Sequence, residues 1–141
     1  MDNTIKLHYT VDGQDFTLAG AISAKVKKRL KQLGLSPDII RRTAIAMYEA
    51  EINMVIHADG GTIDIEISPD KIYIVFADKG PGIPDIDKAM QEGYSTATHE
   101  IRELGFGAGM GLPNIRMNSD DMKIDTVIGE GTTISLVINI A

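Results

Sequence analysis

The chain has no cysteine, which excludes a disulfide framework and any thiolate zinc site. Its three histidines, His8, His57 and His99, are too scattered for a metal-ligand pattern, so any metal is expected to arrive with a ligand. No apolar run approaches the roughly 18 residues of a membrane span. The first 11 residues alternate and carry Asp2, unlike the charged-then-apolar layout of a signal peptide. A cytoplasmic protein without a membrane partner is expected. Repeats, low-complexity tracts and linkers are also missing. The 141 residues fit one domain, 1–141, long enough for a proper core.

Positive charge is in short supply as well. The net charge is −6, with 8 basic and 6 acidic groups in residues 1–58 against 6 and 14 in residues 59–141. So acidic a surface argues against nucleic acid as a partner. The basic groups gather at Lys25, Lys27, Lys28, Arg29, Lys31, Arg41 and Arg42, either as a solvated helix face or as a docking face for an acidic protein.

What is present reads as alternating strands and amphipathic helices. Residues 4–11 place Ile5, Leu7, Tyr9 and Val11 on one side, the pattern of a half-buried strand. Helical spacing of Ile22, Val26, Leu30 and Leu33 predicts a helix over 18–33, closed by Gly34. Ser36 as N-cap and Pro37 at the first helical position open a long helix to about 58, with Ile45, Ile52 and Ile56 expected to face the sheet. Asp59, Gly60 and Gly61 are expected to stop it. Strands follow at 62–68 and 71–77, joined by a turn at Ser68, Pro69 and Asp70. A short helix is expected near 85–92 and a loop over 93–111. A helix from 110 or 111 to 119 and strands at 122–128 and 131–140, around a turn at Gly129, Glu130 and Gly131, complete an α+β two-layer sandwich: a mainly antiparallel sheet with helices on one face.

Three elements carry chemistry. Glu49 and Asn53 stand one helical turn apart on one face, with His57 continuing the row. An amide oxygen is a neutral hard ligand for magnesium, and a neighbouring carboxylate can take a proton. Strand 71–77 delivers Asp78 into the turn Lys79, Gly80, Pro81, Gly82, where it can accept a hydrogen bond from an exocyclic amine such as that of adenine. Gly105, Gly107, Gly109 and Gly111 alternate just before a helix, where bare N–H groups can cradle phosphates. Taken singly, each has a plainer reading: polar helix surface, a capped turn, a flexible loop.

Together they resemble the GHKL ATPase superfamily, whose nucleotide-binding unit is the Bergerat fold. Glu49 and Asn53 match its N box, DKGPG its first glycine box, GFGAGMGL its second, and GEGTT at 129–133 its last motif. AMQEGYST and GMGLPNI look most like the small bacterial anti-sigma factor serine kinases. The resemblance implies that Asp78 binds the adenine amine with Thr132 nearby and Thr133 as the alternative. It implies that Asn53 holds magnesium and that Glu49 is the general base. Gly80, Gly82, Ile83, Gly105, Gly107, Ala108, Gly109, Met110, Gly111 and Leu112 then line the ATP site. Packing or hydrogen bonding is the role expected of His57, while Arg102 and Arg116 are candidates for the terminal phosphate. The stretch 95–105, longer than in the short anti-sigma kinases, can form a helical segment of its own. The implied partners are a STAS-domain anti-sigma antagonist, a sigma factor and a second copy of the chain, through the first strand and helix. A non-catalytic, nucleotide-gated binding switch is the alternative function, and an interaction domain without nucleotide a third.

Overall fold

The two-residue period of the strands decides which face of the sheet is buried. The computed structural model describes residues 4–12, 20–57, 60–80 and 111–140. Its strands are β1 (Ile5–Asp12), β2 (Gly60–Ile67), β3 (Lys71–Asp78), β4 (Asp121–Val127) and β5 (Gly131–Asn139). They form one sheet of order β1-β2-β3-β5-β4 with every neighbouring pair antiparallel. Register lines the apolar residues up in rows across it. Leu7, Ile65, Ile74, Leu136 and Met122 make one, and Tyr9, Ile63, Phe76, Ile134 and Ile124 the next. Ile67, Ile72 and Ile138 form a third, and these rows supply the floor of the hydrophobic core.

The helices are α1 (Ala21–Gln32), α2 (Pro37–His57) and α3 (Gly111–Met117). Helix α2 packs on the sheet, with α1 and α3 packed against it. Ser36 caps α2 as expected, its hydroxyl accepting the Ile39 N–H at 3.3 Å. Gly34 takes the left-handed conformation after α1 (φ 75°). The expected turn at Ser68 is closed by its N–H on the Lys71 carbonyl at 2.9 Å.

Two expectations need correction. The core face of α2 is the row Met47, Ala50 and Met54; Ile45 is half-buried, and Ile52 is buried outside the core cluster. Apolar side chains occur all round this helix, so size alone does not select the inward row, and the small Ala46 and Ala50 let the backbone approach the sheet. The side chains of Ile56 and His57 lie outside the described residues. The strand expected from 62 begins earlier: Gly60 and Gly61, which follow the end of α2 at His57 as expected, are also paired residues of β2. The expected helix near 85–92 and the stretch 95–105 also lie outside the described residues.

Helix α1 begins at Gly20, which has no side chain with which to cap it. The cap comes from α2. Glu51, only 2% exposed, accepts the N–H groups of Gly20 (3.0 Å) and Ile22 (3.3 Å) on Oε2 and that of Ser23 (3.0 Å) on Oε1. Three donors that a helix N-terminus leaves unpaired are thereby satisfied, with the carboxylate at the positive end of the helix dipole. Asp120 makes a second tie. It pairs with Arg42 of α2 at 3.2 Å and accepts the Asn139 N–H at 2.7 Å. That N–H holds the Asp120 carboxyl below its usual range, against a smaller opposing effect of burial and with help from Arg42. Lys25, Lys27, Lys28, Arg29 and Lys31 are exposed on α1 and form no ion pair among the described residues.

Glu51→Leu should destabilise the protein by about 3 kcal/mol or more, since it strands two buried donors and a half-buried one at about 1–3 kcal/mol each. Glu51→Gln, which keeps one acceptor oxygen, should cost less. Thr43 offers the converse case, because its hydroxyl is buried without a partner among the described residues. Thr43→Val should leave stability unchanged or raise it by about 1 kcal/mol, since the shape is kept and an unpaired polar atom is removed. Urea denaturation followed by circular dichroism reads both effects.

Candidate functional site

The sheet rows change character at one end. Beyond Tyr9, Ile63, Phe76, Ile134 and Ile124, the next positions on the same face are Val11, Gly61, Asp78, Thr132 and Thr126. A glycine, a carboxylate and two hydroxyls thus stand where the preceding rows carry large apolar side chains. Asp78, the last residue of β3, is half-buried there.

Glycine on either side makes room for it. A Cβ on Gly61 (φ 155°) would come within 2.0 Å of the Ala77 carbonyl oxygen, 2.7 Å of Asp78 Cα and 2.8 Å of Met54 Cε. One on Gly131 (φ 144°) would meet the Asp78 carbonyl oxygen at 2.2 Å and its Oδ1 at 3.2 Å. Neither position accepts another residue without moving the backbone. Asp78 Oδ1 accepts the Thr132 N–H at 2.8 Å. Its second oxygen makes no hydrogen bond among the described residues, and so remains free to accept one from a ligand. Burial pushes the Asp78 carboxyl above the usual range, opposed by the Thr132 N–H. Thr132 itself is buried, its hydroxyl 3.0 Å from that of Thr126. Thr133, one residue on, points to the opposite face of the sheet.

Helix α2 runs from this end of the sheet to the Glu49 and Asn53 pair. Met54 abuts Gly61, and Glu49 lies five residues earlier on the same helix, about 7–8 Å along its axis at 1.5 Å per residue. Both Glu49 and Asn53 are half-buried. The Asn53 amide makes no hydrogen bond among the described residues and is available as a ligand oxygen. Glu49 Oε1 accepts an N–H from Asn114 Nδ2 at 3.3 Å. Asn114 belongs to α3, whose first residue, Gly111, is the last of the four alternating glycines. Its neighbours Leu112 and Ile115 are buried in the core. The polar end of the sheet, the carboxylate–amide pair and the helix that follows the glycine run are therefore joined through α2.

Gly80 follows in the bend after β3, where the Lys79 N–H bonds to the Gly60 carbonyl at 3.1 Å. Gly82, Ile83, Arg102, Gly105, Gly107, Ala108, Gly109 and Met110 lie outside the described residues. Arg116 is exposed on α3. Sequence reading missed Thr126, Asn114 and the part played by Gly61. Strand parity from Thr132 across the hairpin marks Thr126, whereas nothing local marks the other two.

Residues 14–138 match the model of the histidine kinase-like ATPase domain. The chain belongs to that family. Within the histidine kinase-like ATPase domains it is 35% identical to the serine/threonine-protein kinase RsbT of Bacillus subtilis over 76% of this chain and 77% of that one. It is 30% identical to the anti-sigma F factor of Thermoanaerobacter sp. over 95% and 92%. A crystal structure of the RsbU and RsbW domains of a Mycobacterium tuberculosis protein superposes with a TM-score of 0.60 at 17% identity. It covers 95% of this chain and 31% of that longer one, a likeness of fold. The chain is thus a Bergerat-type ATP-binding domain of the RsbT and anti-sigma factor group. A half-buried carboxylate with a free oxygen, flanked by cradles that a Cβ would fill, suits an adenine amine. An unpartnered amide beside a carboxylate suits a phosphate-bound divalent cation.

Asp78→Asn should abolish ATP binding measured by calorimetry, because an amide presents the adenine amine with a less basic acceptor or with a clashing donor. Stability should move the other way. With its folded value raised, Asp78 binds more protons folded than unfolded, so its contribution declines as pH rises from the ordinary carboxylate value, 3.8, through the folded one. The variant, which can still accept the Thr132 N–H, should therefore melt at or above the wild-type temperature at pH 7.

Proposed function

We propose that this chain is an ATP- and magnesium-dependent serine/threonine protein kinase that phosphorylates a STAS-type anti-sigma antagonist and binds a sigma factor. In this reading it is a single cytoplasmic domain, 1–141, that works as a homodimer. The observation that carries the reading is the linkage through α2 of Asp78, Asn53 and Glu49, in a chain 35% identical to a serine/threonine-protein kinase.

Asp78 and Thr132 would hold adenine, and Asn53 a magnesium ion. Gly80, Gly82, Ile83, Leu112 and the backbone of residues 105–111 would line the rest of the nucleotide site. When bound, magnesium-ATP supplies the phosphoryl group and the charge neutralisation of the transfer. Glu49 would take the proton of the attacking serine hydroxyl. The bond from serine Oγ to the γ-phosphorus forms, the bond from that phosphorus to the β–γ bridging oxygen breaks, and ADP leaves with the electron pair. A carboxylate is suited to the task because it accepts a proton only transiently at neutral pH and needs no partner to be charged.

Glu49→Ala should bind magnesium-ATP within about threefold of wild type. Transfer of labelled γ-phosphate to a STAS-domain protein from the same genome should fall by a factor of about 10² or more, the usual contribution of a general base. Labelling at the wild-type rate removes Glu49 from that role. A wild-type chain that captures the STAS protein in the presence of ATP and never labels it is instead a nucleotide-gated binding switch.

A further inference from the structure

The Asn114 amide has no assigned task, yet among the described residues it is the only side chain that hydrogen-bonds Glu49. It is held from below. Its backbone carbonyl accepts the Asn118 side-chain N–H at 2.8 Å and the Asn118 backbone N–H at 3.2 Å. Leu112, Pro113 and Ile115 around it are buried. The donor therefore projects from a short helix fixed by core packing.

A half-buried glutamate has three side-chain torsions to order, and ordering a long side chain costs up to about 1.5–2 kcal/mol. A fixed donor on one oxygen supplies that order before substrate arrives, and leaves Oε2 unengaged among the described residues. The donor's charge also matters. A lysine or arginine in its place would stabilise the anion strongly and weaken it as a base, whereas a neutral amide orients the carboxylate with little loss of basicity.

We infer that Asn114 is a positioning residue for phosphoryl transfer: it holds Glu49 Oε1 so that Oε2 meets the attacking hydroxyl. The inference rests on the reading of Glu49 as the base. It extends the functional site to α3, at the residue three positions beyond the glycine run.

The full chain is compared as wild type, Asn114→Ala, Asn114→Gln, Glu49→Ala and the Asn114→Ala/Glu49→Ala double variant. Calorimetry gives the affinity for magnesium-ATP, and labelled γ-phosphate gives the rate of transfer to the STAS-domain protein and to water. Asn114→Ala should keep ATP affinity within about threefold and lose at least about tenfold in rate, since a misplaced catalytic group is costly. Asn114→Gln, which retains an amide donor, should recover most of the rate. In the Glu49→Ala background Asn114→Ala should cause no further loss, the signature of one residue acting through another. A wild-type rate in Asn114→Ala, or an equal loss in both backgrounds, overturns the inference while leaving the Glu49 assignment intact. A wild-type rate in Glu49→Ala removes the base itself. The contact has its own check without turnover: the Asn114 side-chain amide signal in a ¹⁵N spectrum should move in Glu49→Ala, and an unmoved signal refutes the pairing.

Discussion

Helix α2 lies on the sheet with Met47, Ala50 and Met54 in the core, and that seat settles where its other side chains go. At about 100° per residue, Glu51 is carried to the start of α1 and Glu49 to the side where α3 packs. A helix turned by one position would bury a different polar side chain against isoleucine and leave the first turn of α1 uncapped. The core row and the polar rows thus enforce one another. Fixing the apolar contact fixes the angle at which Glu49 and Asn53 are presented.

The second feature is the polar end of an otherwise apolar sheet face. Three rows of large side chains make the core, and the fourth holds Asp78 between two glycine-bearing strands. Burial there raises the carboxyl's proton affinity, so the charge is held against its own preference. The Thr132 N–H offsets part of that cost and fixes one oxygen. In the proposed role as acceptor for the adenine amine, that balance gives enough dehydration to make a new hydrogen bond valuable and enough support to keep the carboxylate in place.

Much of this was legible in the chain because it is written in local periods. Alternation gave the five strands to within two residues, and Ser36 with Pro37 gave the start of α2. What escaped depends on partners distant in sequence. Glu51 resembles any helix-surface glutamate until α1 folds over it, and the pairing of Asn114 with Glu49 spans 65 positions. Gly61 and Gly131 look like punctuation, since a glycine spared for a neighbour's backbone has the same letter as one spared for a turn. The inward row of α2 was misread for a related reason: methionine and alanine fill the gap above the sheet, where isoleucine had seemed the natural occupant.

Strand β5 follows β4 in the chain, yet sits between β3 and β4 in the sheet. Its Thr132 is the residue that engages Asp78, so the carboxylate gains its backbone support only when this late segment has been threaded into the interior. During synthesis, the Asp78 carboxylate therefore lacks this partner even after every helix described here has left the ribosome. In the proposed reading, competence for the nucleotide coincides with closure of the sheet, and a nucleotide that binds only the closed form adds its binding energy to that step.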